Sequence, residues 1–155
     1  MTERKKVLFI CTHNSARSIM AEALLRHYYD DLYEAFSAGT IPLRVKPEAI
    51  RVLEEIGIDT SPLRSKGIES FKGMRFHIVV TVCKNAKDTC PFYPFADTYV
   101  HQGFVDPSDI GLPERRLDDF RKTRDDIRKW IDDTFESGRV TQDLRLQLFY
   151  PDRIK

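Results

Sequence analysis

The chain has 155 residues with 41% hydrophobic and 32% charged side chains, the balance of one ordinary soluble domain spanning 1–155. A formal net charge of +1 gives no basic face, so nucleic acid is not an expected partner. The apolar run Val7–Ile10 behind the charged start Met1–Lys6 is too short for a signal peptide core or a membrane span, so a cytoplasmic protein is expected. Three cysteines in a chain of this length read as thiols rather than as a disulfide framework.

In chain order, Val7–Ile10 predicts a buried strand and Ser18–Tyr29 a helix whose apolar positions Ile19, Met20, Ala23, Leu24 and Tyr28 fall near one face. Tyr33–Ala38 predicts a second strand stopped by Gly39. Pro47–Ile56 predicts a helix with proline in its first turn and Gly57 past its end. Ile68–Phe71 reads as a short helix closed by Gly73. Phe76–Val82 reads as a strand buried on both faces, and Ala96–Val100 as a fourth strand. Pro113–Phe135 predicts one long charged helix, with Leu117, Phe120, Ile127, Trp130 and Ile131 toward the core and the RKTRDDIRKW stretch as a solvated face; Gly138 ends it. The alternation predicts an α/β fold with a parallel sheet. The tail 139–155 carries apolar residues with no assignable place.

The chemistry gathers at "ICTHNSARSIMAEALL", residues 10–25. A loop between a buried strand and a helix N-terminus presents unpartnered backbone N–H groups and the positive end of a helix dipole. Here that loop runs through Thr12, His13, Asn14, Ser15, Ala16, Arg17 and Ser18 as an oxyanion cup. Arg17 adds a planar cationic fork suited to a tetrahedral oxyanion. Cys11, at the strand end, faces the same cup, whose positive field favours its thiolate. Nucleophile and anion grip share one loop, which suggests thiolate attack on bound phosphate or arsenate.

The stretch "VLFICTHNSARSIMAEALL", with "FSAGT" after it, resembles the phosphate-binding loop, second strand and turn of the low-molecular-weight tyrosine phosphatase superfamily. The resemblance implies a four-stranded parallel sheet flanked by helices. It also implies one of two chemistries: phosphate monoester hydrolysis through a cysteinyl-phosphate, or arsenate reduction as in the thioredoxin-coupled arsenate reductases.

"VVTVCKNAKDTCPFYP", residues 79–94, bears on that choice. A hydrolase needs one thiol; Cys11, Cys83 and Cys90 permit a relay by successive thiolate exchange. The C-x6-C pair followed by proline is similar to the reductases. In "HQGFVDPSD", residues 101–109, Asp106 is the candidate proton donor for the leaving oxygen. The H-x-G-F-x-D-P pattern resembles the reductases, whereas the phosphatases carry an aromatic residue where Ser108 stands.

Asn14 and Ser18 match positions that shape the family's cup: Ser18 is placed to donate to the Cys11 thiolate and Asn14 to hold the loop, while helix capping is the plain alternative for both. His13 stands where glycine is common and reads as solvent-facing. Ala16 stands where some reductases have cysteine. Asn14, Glu22 and Ser37 match three positions of a potassium site found in some reductases, but Lys66 stands where the fourth ligand is an aspartate, so no metal is expected. His27, His77 and His101 lack metal-ligand spacing, and no cofactor is expected. The expected partners are arsenate, with phosphate or sulfate as analogues, and a thioredoxin-like donor.

Overall fold

The computed structural model describes residues 3–82, 96–108 and 111–136. Four strands form one sheet: β1 (Lys5–Cys11), β2 (Tyr33–Gly39), β3 (Phe76–Thr81) and β4 (Ala96–His101). They run in the order β2-β1-β3-β4, all parallel. The expected α/β class and four parallel strands are therefore present, with strand ends shifted by a residue or more.

The helices are α1 (Arg17–Tyr29), α2 (Pro47–Glu54) and α3 (Arg116–Phe135). α1 is buried all round for its first nine residues, not along one stripe. It packs against β1, β2, α2 and α3 together, and Ala21 is fully buried. Arg26 and His27 in its last turn complement the helix dipole. α2 ends at Glu54, earlier than predicted, and the chain leaves it through Gly57 at φ +84°, a left-handed turn natural to glycine. Ile68–Phe71 forms a 3-10 turn. The long charged helix is in two parts: a 3-10 turn at Pro113–Arg115, then α3.

Alternating residues of β1 feed two cores. Val7, Phe9 and Cys11 face α1 and α3, where Phe9, Tyr33, Trp130 and Phe135 meet edge to face. Leu8 and Ile10 face the other side, with the mutually edge-on rings of Phe36, Phe71 and Phe76. Each fully buried side chain of this size contributes about 1.5–3 kcal/mol.

The solvated face predicted for α3 is interrupted. Arg124 is buried; its Nη1 donates to the Val52 carbonyl at 2.8 Å and pairs with Glu55. It thereby satisfies a carbonyl near the end of α2 and ties the two helices together. Leu117 and Trp130, expected in the core, are only partly buried.

The register brings Cys11, Gly39, Thr81 and His101 to one edge of the sheet. β1 is internal, and the chain moves to one side of it for β2 and to the other for β3. The crevice at such a switch point opens beyond the carboxyl end of β1, where residues 12–16 lie.

Candidate active site

Residues 11–18 form a cup whose carbonyls are drawn outward. Thr12 O accepts the Ile41 N–H at 2.9 Å and the Thr40 hydroxyl at 3.2 Å; His13 O accepts the Leu43 N–H at 3.1 Å and the Ser65 hydroxyl at 3.0 Å. Ser15 O accepts the Lys46 N–H at 2.9 Å. Residues 40–46 thus act as a strap laced to the outside of the cup. With its carbonyls engaged outside, the loop is free to turn amides inward, and the Asn14 N–H points at Cys11 Sγ, 3.3 Å away.

Asn14 adopts φ +49°, a left-handed conformation that asparagine tolerates better than most residues. Its side chain fixes the direction of a hydrogen-bond chain. The Lys66 backbone N–H, a donor only, faces Asn14 Oδ1 at 2.8 Å. The amide nitrogen therefore donates to Ser18 Oγ at 2.8 Å, and the Ser18 hydroxyl is left to donate to Cys11 Sγ at 2.8 Å. Cys11, 2% exposed, receives two donors suited to a thiolate, each worth about 1.5–3 kcal/mol when the acceptor is charged.

Neither Asn14 nor Ser18 is a helix cap. Ala16 is the N-cap of α1 and makes no side-chain cap bond, and Ser18 lies within the first turn. The orphan amides of that turn are left to the cup. Replacing Ser18 by alanine is expected to slow the thiolate step about tenfold to a hundredfold while arsenate affinity stays within about threefold. Stopped-flow arsenite formation set beside equilibrium binding separates the two quantities.

Arg17, 9% exposed, reaches from α1 to the loop after β4. Its Nη1 donates to the Phe104 carbonyl at 3.2 Å, and its Nη2 lies 3.6 Å from Asp106 Oδ2. The other Asp106 oxygen accepts the Ser108 N–H at 3.0 Å. Phe104 is anchored by its N–H to the Val82 carbonyl and edge-on against Trp130. Cys11, Arg17 and Asp106 are thus linked through one helix turn and one loop. Cys83 and Cys90 lie outside the described residues.

His13 is partly exposed, and its Nδ1–H donates to the Ile41 carbonyl at 3.1 Å, a further stitch in the strap. Behind the cup, Glu22 is 2% exposed and accepts the Ser37 hydroxyl at 2.5 Å. Arg26 at 2.8 Å and the Lys66 ammonium at 3.6 Å balance its charge. Burial pushes the Lys66 ammonium below its ordinary range, opposed by the Glu22 carboxylate. Among the described residues no group of three or more His, Cys, Asp or Glu is placed to hold a metal, and no helix is long and apolar enough to cross a membrane.

Several cup-building groups carry no sign in the C-x5-R-S stretch: Ser65, the Lys66 amide, the Phe104 carbonyl and the strap. Gly39 reads in sequence only as a strand stop within FSAGT. In space a Cβ there would sit 2.7 Å from Thr12 O, 2.8 Å from Asn14 N and 2.9 Å from His13 C, all backbone. Gly39→Ala is expected to cost about 2–4 kcal/mol in urea denaturation and to weaken phosphate binding at least about tenfold by calorimetry. An alanine variant of unchanged stability and affinity would show that the cup yields easily.

The profile described as "Low molecular weight phosphotyrosine protein phosphatase" matches residues 6–142. The chain belongs to this family. Within the low molecular weight phosphatase family, it is 39% identical over 137 residues to a protein named arsenate reductase from Halalkalibacterium halodurans (strain ATCC BAA-125 / DSM 18197 / FERM 7344 / JCM 9153 / C-125), covering 88% of this chain and 99% of that one. Its fold matches a solved structure titled "An arsenate reductase in the phosphate binding state", with TM-score 0.70 and 28% identity over 87% of this chain and 99% of the other. It also matches the Corynebacterium glutamicum thioredoxin-dependent arsenate reductase, with TM-score 0.67 and 26% identity; 88% of this chain is covered, and the match spans 63% of that longer chain.

Proposed function

We propose that the chain, acting as a single domain over residues 1–155 in a reducing cytoplasm, reduces arsenate to arsenite and is recharged by a protein dithiol such as thioredoxin. One observation carries this reading. A thiol held by Ser18 and the Asn14 amide beside Arg17 belongs to a chain that shares 39% identity with an arsenate reductase and holds two further cysteines, Cys83 and Cys90. Phosphate and sulfate, as tetrahedral anions, compete for the same cup.

In this reading the amides of residues 12–18 and the Arg17 fork receive the arsenate oxygens. The Cys11 thiolate attacks arsenic(V), and one arsenate oxygen leaves as water with a proton from Asp106, giving a Cys11 sulfur–arsenic bond. The Cys83 thiolate then attacks Cys11 Sγ. A sulfur–sulfur bond forms, and the sulfur–arsenic electron pair stays with arsenic, which departs as arsenite. The Cys90 thiolate attacks Cys83, freeing the Cys11 thiolate and leaving a Cys83–Cys90 disulfide. Two thiols have supplied two electrons, and an external dithiol restores them.

The family description favours a second reading, hydrolysis of phosphate monoesters through a Cys11 phosphoryl intermediate. A single turnover decides between them. Fully reduced protein given excess arsenate without reductant is expected to release about one arsenite per chain and to retain a Cys83–Cys90 bridge by peptide mapping. No arsenite with all three thiols intact would overturn the reductase reading in favour of ester hydrolysis.

A further inference from the structure

The cup has an apolar, basic lip that its chemistry does not use. Among the described residues, the large apolar side chains left exposed are Leu32, at the opposite edge of the sheet, and Ile41, Leu43, Val105 and Leu112. Ile41 and Leu43, each 60% exposed, follow β2 on the strap; Val105 and Leu112 follow β4 on the segment that carries Asp106. All four therefore follow the carboxyl ends of strands, the edge at which the cup opens. Arsenate is small and fully polar and gains nothing from such side chains; scattered apolar residues need no explanation, but a set confined to the mouth of a site marks a docking surface.

Between residues 43–48 and Arg116 at the start of α3 lies a cleft of about 580 Å³. It is separate from the cup, yet the Lys46 N–H on Ser15 O joins their walls. Arg44, Lys46 and Arg116 face one carboxylate, Glu48, which lies 3.8 Å from Arg116. Among the described residues Arg44 and Lys46 have no ion-pair partner, and Arg44 is exposed. A cleft with three cations to one carboxylate, lined also by Leu43 and Val45, complements an acidic segment with aliphatic neighbours. The chain enters residue 83 from Val82, whose N–H bonds Ile10 O at this same edge.

We propose that this lip, from the strap to the start of α3, is the surface on which the protein dithiol donor docks, through an acidic, aliphatic-flanked segment of the donor. The assignment rests on the reductase reading above. The basic cleft steers and orients the donor, and the apolar lip holds it while its dithiol meets the disulfide. The strap supports the cup through the backbone N–H groups of Ile41, Leu43 and Lys46, whereas docking uses side chains, which makes the two separable.

The test uses the whole chain, with thioredoxin as donor in steady state, dithiothreitol as a small donor, and donor-free single turnover as the internal reference. Arg44→Glu is expected to raise the KM for thioredoxin about tenfold and to flatten its dependence on salt; Leu112→Ser is expected to raise it several-fold. Both variants should release arsenite in single turnover, and turn over with dithiothreitol, at wild-type rates. Arsenite from the wild type with an unchanged thioredoxin KM in both variants would overturn the docking surface alone. An equal loss in single turnover would overturn it too, by placing the cleft in substrate binding. No arsenite from the wild type would remove the reductase reading, and this surface's role with it.

Discussion

Arg17→Lys is expected to lower kcat/KM for arsenate about a hundredfold to a thousandfold, though the charge is kept. The guanidinium does two things at once. Its Nη1 is committed to the Phe104 carbonyl, which fixes the plane of the fork, while Nη2 remains beside Asp106 Oδ2 at 3.6 Å, too long for a good hydrogen bond and open to a better acceptor. In the proposed reaction an arsenate oxygen is that acceptor. A lysine ammonium is one compact, strongly hydrated point on a flexible stem; it can meet the carbonyl or the anion, but it presents no second donor in a fixed plane. The loss corresponds to about 2.7–4 kcal/mol, the range found for removing one preorganised oxyanion donor. Steady-state kinetics with phosphate inhibition measures it. A loss below about tenfold would mean that charge alone holds the anion.

Cys83→Ser is expected to abolish arsenite release, by at least about a thousandfold, and to leave any phosphate-ester hydrolysis by the cup within about threefold. The asymmetry follows from the electron count. Cys11 alone can form the sulfur–arsenic bond, which is displacement at arsenic without reduction. Reduction requires a second sulfur to take the Cys11 sulfur and leave the electron pair behind. A serine hydroxyl at neutral pH is neither ionised nor able to form a bond of that kind. Hydrolysis uses water and none of the later thiols. Arsenite detection beside p-nitrophenyl phosphate turnover reads both arms. Arsenite at the wild-type rate would show that another thiol attacks Cys11.

Much of this site is written locally. The strand–loop–helix start places Cys11, Arg17 and Ser18 together because a buried apolar run, a short polar loop and an Ala- and Leu-rich helix leave little freedom between them. The central strands β1 and β3 are legible for the same reason, through continuous apolar runs, and the alternation of strands with helices gives the parallel class. What holds the cup open is not local. The Lys66 amide, the Ser65 hydroxyl and the strap act through backbone hydrogen bonds between segments remote in sequence, and a backbone donor has no signature in the letters. Gly39 looks like punctuation but is a matter of clearance. Arg124 looks solvated because its neighbours are charged; its burial follows from α3 crossing the end of α2, a fact of tertiary packing. The pattern singles out Asp106 as an expected proton donor, whereas its place beside Arg17 is set by the loop after β4.

The non-local lacing of the cup also governs when the thiol becomes dangerous. Cys11 leaves the ribosome before its supports do: the amide that aligns Asn14 belongs to Lys66, and the carbonyl that positions Arg17 belongs to Phe104, 87 residues after it. At about 5–20 residues per second, on the order of ten seconds of synthesis separate the cysteine from the last of these partners. Throughout that interval the nascent chain carries Cys11 without the hydrogen-bond network of the folded loop held in place around it. The arrangement around Cys11 is completed only with the sheet edge and is lost again if that edge opens, so the proposed chemistry belongs to the folded molecule alone.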